Sequence, residues 1–297
     1  MHPNHATNWN RENVYKDFGF DQFLSINDFQ GADTLRGMVT DQATYDKILE
    51  LLDQNADPQF IFDVTMQNHS GYDTGLLPAD KQMHLNIDTT DLDAKTIEDG
   101  TLSDVDEYVS CIEQSDQALR YFLNALNKLD RKVVVVFWGD HQPFFPSKFN
   151  DKWFTDEDDA THQERLWQTD YIIWANYDVA GCDQTSETDD LSTNYLSTQL
   201  MQLIGAPLTD YQKAHVTLRE SLPAINSVAT RTPACVGRFP PTSPVTTPLP
   251  QPPPSTRGLR QDAILRDVPR RQERVHRALP DRGQRDRPQP GAGYDQD

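Results

Sequence analysis

Hydrophobic positions along the chain follow two rhythms. Steps of three and four residues mark helices. One starts at Asp41, the expected N-cap, and carries Tyr45, Ile48, Leu49 and Leu52 on one face. A longer one from Asp104 carries Val105, Tyr108, Val109, Ile112, Leu119, Phe122, Leu123 and Leu126. Two more fall on residues 191–204 and on Asp210–Ser221, the second closed by Pro223, and a short helix is expected at 11–18. Unbroken apolar runs mark strands at residues 60–66 (FIFDVTM), 133–137 (VVVVF) and 171–174 (YIIW). A run without alternation reads as a strand covered on both faces. Strand and helix alternate, so the expected class is α/β with a largely parallel sheet. Residues 73–103 are polar and acidic and read as surface loop.

Two strands end in polar clusters. The valine strand stops at Gly139 and is followed at once by Asp140 and His141; the run at 60–66 leads into Gln67, Asn68, His69, Ser70, Gly71 and Tyr72. Ligand sites in open α/β sheets gather at carboxyl ends of strands. Asp140 and His141 there suit one divalent ion such as Mn²⁺ or Zn²⁺, while the plain alternative is a solvated loop. Right-handed crossovers would bring such strand ends to one rim, so His69 could share a pocket with Asp140 and His141. Asp116, on the long helix, reads as a structural hydrogen-bonding residue.

Charge divides the chain. The 297 residues carry a formal net charge of −19, yet residues 229–297 hold twelve Arg, no Lys, seven acidic residues and 13 of the 20 prolines. The first 228 residues therefore have 15 basic and 39 acidic side chains, a net of −24. That argues against a nucleic-acid partner, which requires Lys and Arg for phosphate. The expected division is a folded domain over 1–228 and a disordered Pro/Arg-rich tail over 229–297, with at most a marginal helix near 262–279. A basic surface anchor or a Pro-rich ligand segment are functional readings of that tail. Its abrupt, lysine-free composition also matches a GC-rich gene read out of frame. Cys111, Cys182 and Cys235 match no zinc or redox spacing, leaving a Cys111–Cys182 disulfide or free buried thiols open. No apolar stretch is long enough to span a membrane, and residues 1–10 lack the pattern of a signal peptide.

Three pieces, in order, carry a family resemblance: HPNHATNWNRENVYKDFGFDQF at 2–23, FIFDVTMQNHSGYD at 60–73 and VVVVFWGDHQP at 133–143. Together they resemble the lipoteichoic acid synthase family of the alkaline phosphatase–sulfatase superfamily. The resemblance spans residues 2–222. It implies an alkaline-phosphatase/sulfatase-like three-layer sandwich, here incomplete. It also implies an extracellular domain at the cell membrane that moves phosphoglycerol from a phosphatidylglycerol-type headgroup onto a glycerol phosphate polymer, with a metal-bound threonine as nucleophile. Asp140 and His141 would then be metal ligands, for Mn²⁺ by preference with Mg²⁺ or Zn²⁺ as alternatives. His2, Trp9, Arg11 and His69 would contact the substrate. Arg11 suits a forked grip on phosphate, Trp9 a wall for glycerol carbons, and His69 a proton shuttle.

The resemblance also sets out departures. The family's threonine nucleophile and a further metal-binding carboxylate precede the Trp–Arg segment, as do its membrane spans, and neither Thr7 nor Thr65 fits the nucleophile's role. The expectation is thus an incomplete domain without turnover of its own, with a sheet edge left open. Membrane association would come only through parts outside this chain. A sulfatase or phosphodiesterase of the same superfamily, or a non-catalytic envelope protein binding glycerol phosphate through Arg11 and the histidines, are the alternatives.

Overall fold

A computed structural model describes residues 1–93, 95, 100–179, 189–225 and 230–231. All belong to the first of two units, Met1–Pro253 and Pro254–Asp297. Cys182, Cys235 and nearly all of the tail, including 262–279, lie outside the described residues.

The helical rhythm is realised closely. Helix α1 spans Arg11–Asp17. A two-residue hairpin, β1 (Thr34–Leu35) and β2 (Met38–Val39), precedes α2 (Asp41–Gln54). The cap of α2 is Thr40, one residue before the expected Asp41; its side chain accepts from the amide of Ala43. Helix α3 (Thr101–Leu126) starts three residues earlier than its apolar face signals, behind Gly100 in the left-handed region at φ 77°. Strand β3 (Val134–Trp138) follows α3. Two short helices, α4 (Ser147–Asn150) and α5 (Asp159–Arg165), lead to strand β4 (Tyr171–Ala175). Helices α6 (Thr193–Leu203) and α7 (Asp210–Ser221) come next, the latter capped by a reciprocal Thr209–Gln212 pair. A last small ladder pairs β5 (Ala224–Ile225) with β6 (Thr230–Arg231).

The principal core lies where α2 and α3 cover one face of β3 and β4. Tyr45 stacks on Phe122 at 4.7 Å between ring centroids, and Ala118, Leu123, Leu126 and Trp174 close around them. Ile48, Leu49, Leu52, Val133 and Val135 complete the layer. Asp116 points to solvent and pairs with Arg120 one turn on, at 3.1 Å.

The expected parallel sheet needs correcting. Among the described residues every ladder is antiparallel, and β3 pairs with β4 from Val134↔Ala175 to Trp138↔Tyr171. The chain turns back within the long connection, and the Gly139 amide reaches the Asp170 carbonyl at 3.1 Å to begin the return. Nor is β3 covered on both faces: its valines are half-buried, and Phe137 and Trp138 are exposed. An apolar run alone cannot distinguish a doubly covered strand from one with an open face. Residues 60–66 are extended but join no ladder. They run parallel to the first residues of the chain instead. The Met1 amine donates to the Phe62 carbonyl, and the Val64 amide donates to the Met1 carbonyl at 3.1 Å, a parallel bracket around Asp63.

Candidate functional site

Residues 1–4 thread between this extended segment and residues 24–26. The His2 amide donates to Leu24 and the Ile26 amide to Asn4. His2 is thereby fully buried, and its Nδ1 lies 3.1 Å from the Val64 carbonyl oxygen. A carbonyl only accepts, so Nδ1 carries the proton. Burial, together with the charge of Arg11, holds the imidazole below its ordinary range, against a smaller opposing effect of the Val64 bond. The neutral ring thus keeps a bare lone pair on Nε2, which is buried and without a hydrogen-bond partner among the described residues.

The His2 ring meets Trp9 edge to face at 5.5 Å. Trp9 and Asn10 both sit at positive φ, 52° and 55°, a conformation costing side-chain-bearing residues about 1 kcal/mol each. The backbone there holds the indole out, 60 % exposed, with its edge 6.3 Å between centroids from His69. Arg11, the first residue of α1, brings its guanidinium to 4.9 Å from the Trp9 ring centroid. One Nη donates to the Tyr15 hydroxyl at 2.6 Å, whereas Nε is buried without a partner. His2, Trp9, Arg11 and His69 therefore form one contiguous group.

His69 is exposed, on the turn that follows residues 60–66. Its Nδ1 donates to the Ser70 carbonyl at 2.9 Å, again leaving Nε2 as the free nitrogen in the neutral ring. Beneath it, Gln67 and Asn68 donate to Ser115 on α3, at 3.0 and 2.7 Å. Ser115 in turn donates to the buried Asp41, whose carboxyl is pushed up by burial. The Gln67 side-chain oxygen accepts from the Asp41 amide, so the turn is pinned to the start of α2 as well.

Asp140 and His141 emerge from the end of β3, both exposed. At Gly139 the chain passes close to Thr169: a Cβ would come within 3.3 Å of Thr169 Cβ. His141 Nδ1 lies 2.9 Å from the Gln142 carbonyl, so it too holds the proton there. His141 Nε2 is left 3.5 Å from Asp140 Oδ2. Two ligands about 2.1 Å from one ion, at a tetrahedral angle, stand roughly 3.4 Å apart. The pair fits a divalent ion as two donors. Among the described residues no group of three or more His, Cys, Asp or Glu could hold a metal ion. The hydrogen bonds and ion pair of Asp140 and His141 stay within 140–142, and they do not touch His69.

Cys111 is a buried free thiol. Arg36, Glu107 and Asp63 were not among the sequence candidates, because their partners are far away in sequence. A signal did exist for Arg36: an arginine stands before Gly37 where a tight hairpin favours asparagine.

Helices packed on a small antiparallel ladder, with His2, Trp9, Arg11 and His69 in one group and Asp140 and His141 at the end of β3, define an α/β protein. The Sulfatase family model matches residues 1–206, over two thirds of the chain, and the chain belongs to that family, with its alkaline-phosphatase/sulfatase-like fold. Among relatives, a Rhizobium meliloti protein named for cyclic beta-1,2-glucan modification is 24 % identical over 216 residues, covering 69 % of this chain and 31 % of that protein. The lipoteichoic acid synthase-like protein YvgJ of Bacillus subtilis is 29 % identical over 48 % of this chain and 21 % of its own length. The lipoteichoic acid synthase of Staphylococcus saprophyticus is 26 % identical over 51 % of this chain and 24 % of its own. The crystal structure of the lipoteichoic acid synthase LtaP from Listeria monocytogenes aligns with a TM-score of 0.49 at 20 % identity, over 70 % of this chain and 49 % of that one. This chain thus spans a third or less of the length of these curated relatives. Among the described residues no helix is long and apolar enough to cross a membrane.

Proposed function

We propose that this chain carries the glycerol phosphate-binding part of a cell-envelope phosphoglycerol transferase of the lipoteichoic acid synthase type. The observation that carries the reading is the grouping of His2, Trp9, Arg11 and His69, two of them with buried polar atoms that have no protein partner. A buried donor or acceptor left unpaired costs about 1–3 kcal/mol, which a bound ligand can recover. Arg11 supplies a guanidinium for the phosphate. The Trp9 face takes the glycerol carbons. Neutral His2 accepts a hydrogen bond at Nε2, which suits a glycerol hydroxyl. His69, with a free Nε2, takes or returns a proton at an attacking or departing oxygen.

Asp140 and His141 would hold a divalent cation, Mn²⁺ by preference with Mg²⁺ or Zn²⁺ as alternatives. When bound, such an ion activates a hydroxyl and offsets charge on phosphoryl oxygens. The donor in this reading is a phosphatidylglycerol-type lipid at the outer face of the membrane, and the acceptor is a glycerol phosphate polymer. The glucan-modifying relative from Rhizobium meliloti, which matches more of this chain than the synthases do, favours a second reading in which the acceptor is a glucan.

In this proposal the chain binds on its own without turning substrate over, since two protein donors hold an ion only loosely. Titration calorimetry of residues 1–297 with sn-glycerol 1-phosphate should give saturable binding that Trp9→Ala weakens. Incubation with phosphatidylglycerol and Mn²⁺ should release no glycerol phosphate. Equal heats for both proteins would defeat the binding assignment, and measurable release would defeat the claim of no turnover.

A further inference from the structure

Behind His69 lies a device that the proposed ligand contacts do not include. Arg36 occupies the first central position of the hairpin between β1 and β2, at φ 55°, with Gly37 at φ 80°. Two positive φ values define the hairpin turn that favours Asn-Gly, and arginine is a costly choice for it. Its side chain is nevertheless only 1 % exposed. Nε pairs with Glu107 of α3 at 2.5 Å. One Nη donates to the carbonyls of Gln67 and His69, at 3.2 and 3.4 Å, and also lies 3.6 Å from the Cys111 sulfur. The other donates to the carbonyls of His69 and Gly71. The guanidinium lies 5.2 Å from the centroid of the Tyr72 ring.

The carbonyls alternate. Those of 67, 69 and 71 turn inward to the guanidinium. Those of 68 and 70 go elsewhere: Asn68 accepts from the Tyr72 hydroxyl at 2.8 Å, and Ser70 accepts from His69 Nδ1 at 2.9 Å. Glu107 closes the far side of the turn by accepting from the Thr74 amide and hydroxyl, both at 2.8 Å. Holding carbonyls 69 and 71 inward leaves carbonyl 70 facing the imidazole, and that carbonyl fixes the proton on Nδ1.

We propose that Arg36, buttressed by Glu107, is the positioning residue that sets the tautomer and aim of His69. It keeps Nε2 free on the side of Trp9 and does not itself touch the ligand. A lysine keeps the charge opposite Glu107 but lacks the fork needed to span three carbonyls.

The test follows the two ring nitrogens of His69 by ¹⁵N NMR at about pH 8, above the ordinary histidine range, in the full chain. Wild type should show the proton resident on Nδ1. Arg36→Lys should move the two shifts toward the ordinary tautomer mixture, with the far-ultraviolet circular dichroism unchanged. The double variant Arg36→Met/Glu107→Met removes both buried charges together, a replacement that folds tolerate better than loss of one partner. It should lose the Nδ1 signature in the same way. The proposal rests on the reading of the site as a glycerol phosphate site for one arm only: affinity for sn-glycerol 1-phosphate should fall about tenfold or more in both variants. Absence of binding by wild type would defeat that reading and leave the tautomer arm decisive. An unchanged His69 tautomer in either folded variant overturns the positioning role, as does a failure of both variants to fold, which would make Arg36 a folding residue only.

Discussion

The Arg11 guanidinium lies 4.9 Å from the centroid of the Trp9 indole, and Trp9 lies edge-on to both His2 and His69. One exposed ring in a strained backbone conformation thus joins two side chains of the N-terminal segment to His69, far along the chain. Truncating it should leave the fold intact, since the indole is 60 % exposed. Trp9→Ala is expected to weaken sn-glycerol 1-phosphate binding about tenfold, roughly 1.4 kcal/mol, as measured by calorimetry.

Arg11→Lys separates charge from shape. A lysine keeps the positive charge but loses the planar fork, the Tyr15 hydroxyl bond and the buried Nε now without a partner. Affinity for the phosphate-bearing ligand should fall about tenfold or more, while affinity for glycerol without phosphate stays unchanged.

Asp140 and His141 offer two donors at a spacing suited to one ion. Titrating Mn²⁺ should broaden NMR signals of residues near 139–142 first, and Asp140→Asn/His141→Ala should abolish that selectivity. Removing the ion with a chelator should restore the signals without unfolding the protein, because neither residue belongs to the buried core.

Asp63 gives the fold a pH dependence. Burial pushes its carboxyl up to about 6 from an ordinary 3.8, against partial relief from the charge of the Met1 amine. Between those two values the folded chain binds the proton more tightly than the unfolded chain. Its contribution to stability is therefore most favourable below about pH 4, falls as pH rises, and reaches its full cost of about 2–3 kcal/mol above pH 6. Asp63→Asn should stabilise the protein in urea unfolding at pH 7.5 by about that amount, with the gain fading toward pH 4. A gain that does not change with pH would contradict the assignment.

Leu126 is completely buried at the end of α3, in the cluster with Tyr45, Phe122 and Trp174. Leu126→Ala should cost about 2–5 kcal/mol in the same unfolding measurement. Substitution of Ile112, which is exposed on the same helix, should cost well under 1 kcal/mol.

Much of this molecule was legible from residue order. Helical periodicity is local, and it placed α2, α3, α6 and α7 within a few residues of their observed bounds. Asp140, His141 and His69 stood out as polar residues at the ends of apolar runs, whereas His2, Trp9 and Arg11 became candidates only through the family resemblance that three short strings carry together. The strands were harder. A valine-rich run looks the same whether its partner is parallel or antiparallel and whether one face or two are covered, so pairing direction and exposure of β3 were misjudged.

The sequence by itself determined the helices, the acidic folded part and its contrast with the Arg/Pro-rich tail, and the residue types available for chemistry. Only the tertiary structure decided which of them meet. Threading residues 1–4 beside the extended segment buries His2 and strips its Nε2 of partners. Folding the hairpin of β1 and β2 against α3 brings Arg36 to Glu107, 71 residues away, and beneath the His69 turn. The physical reason is that helix periodicity depends on contacts three and four residues apart, whereas tautomers, desolvation and ion pairs depend on neighbours that chain order does not reveal.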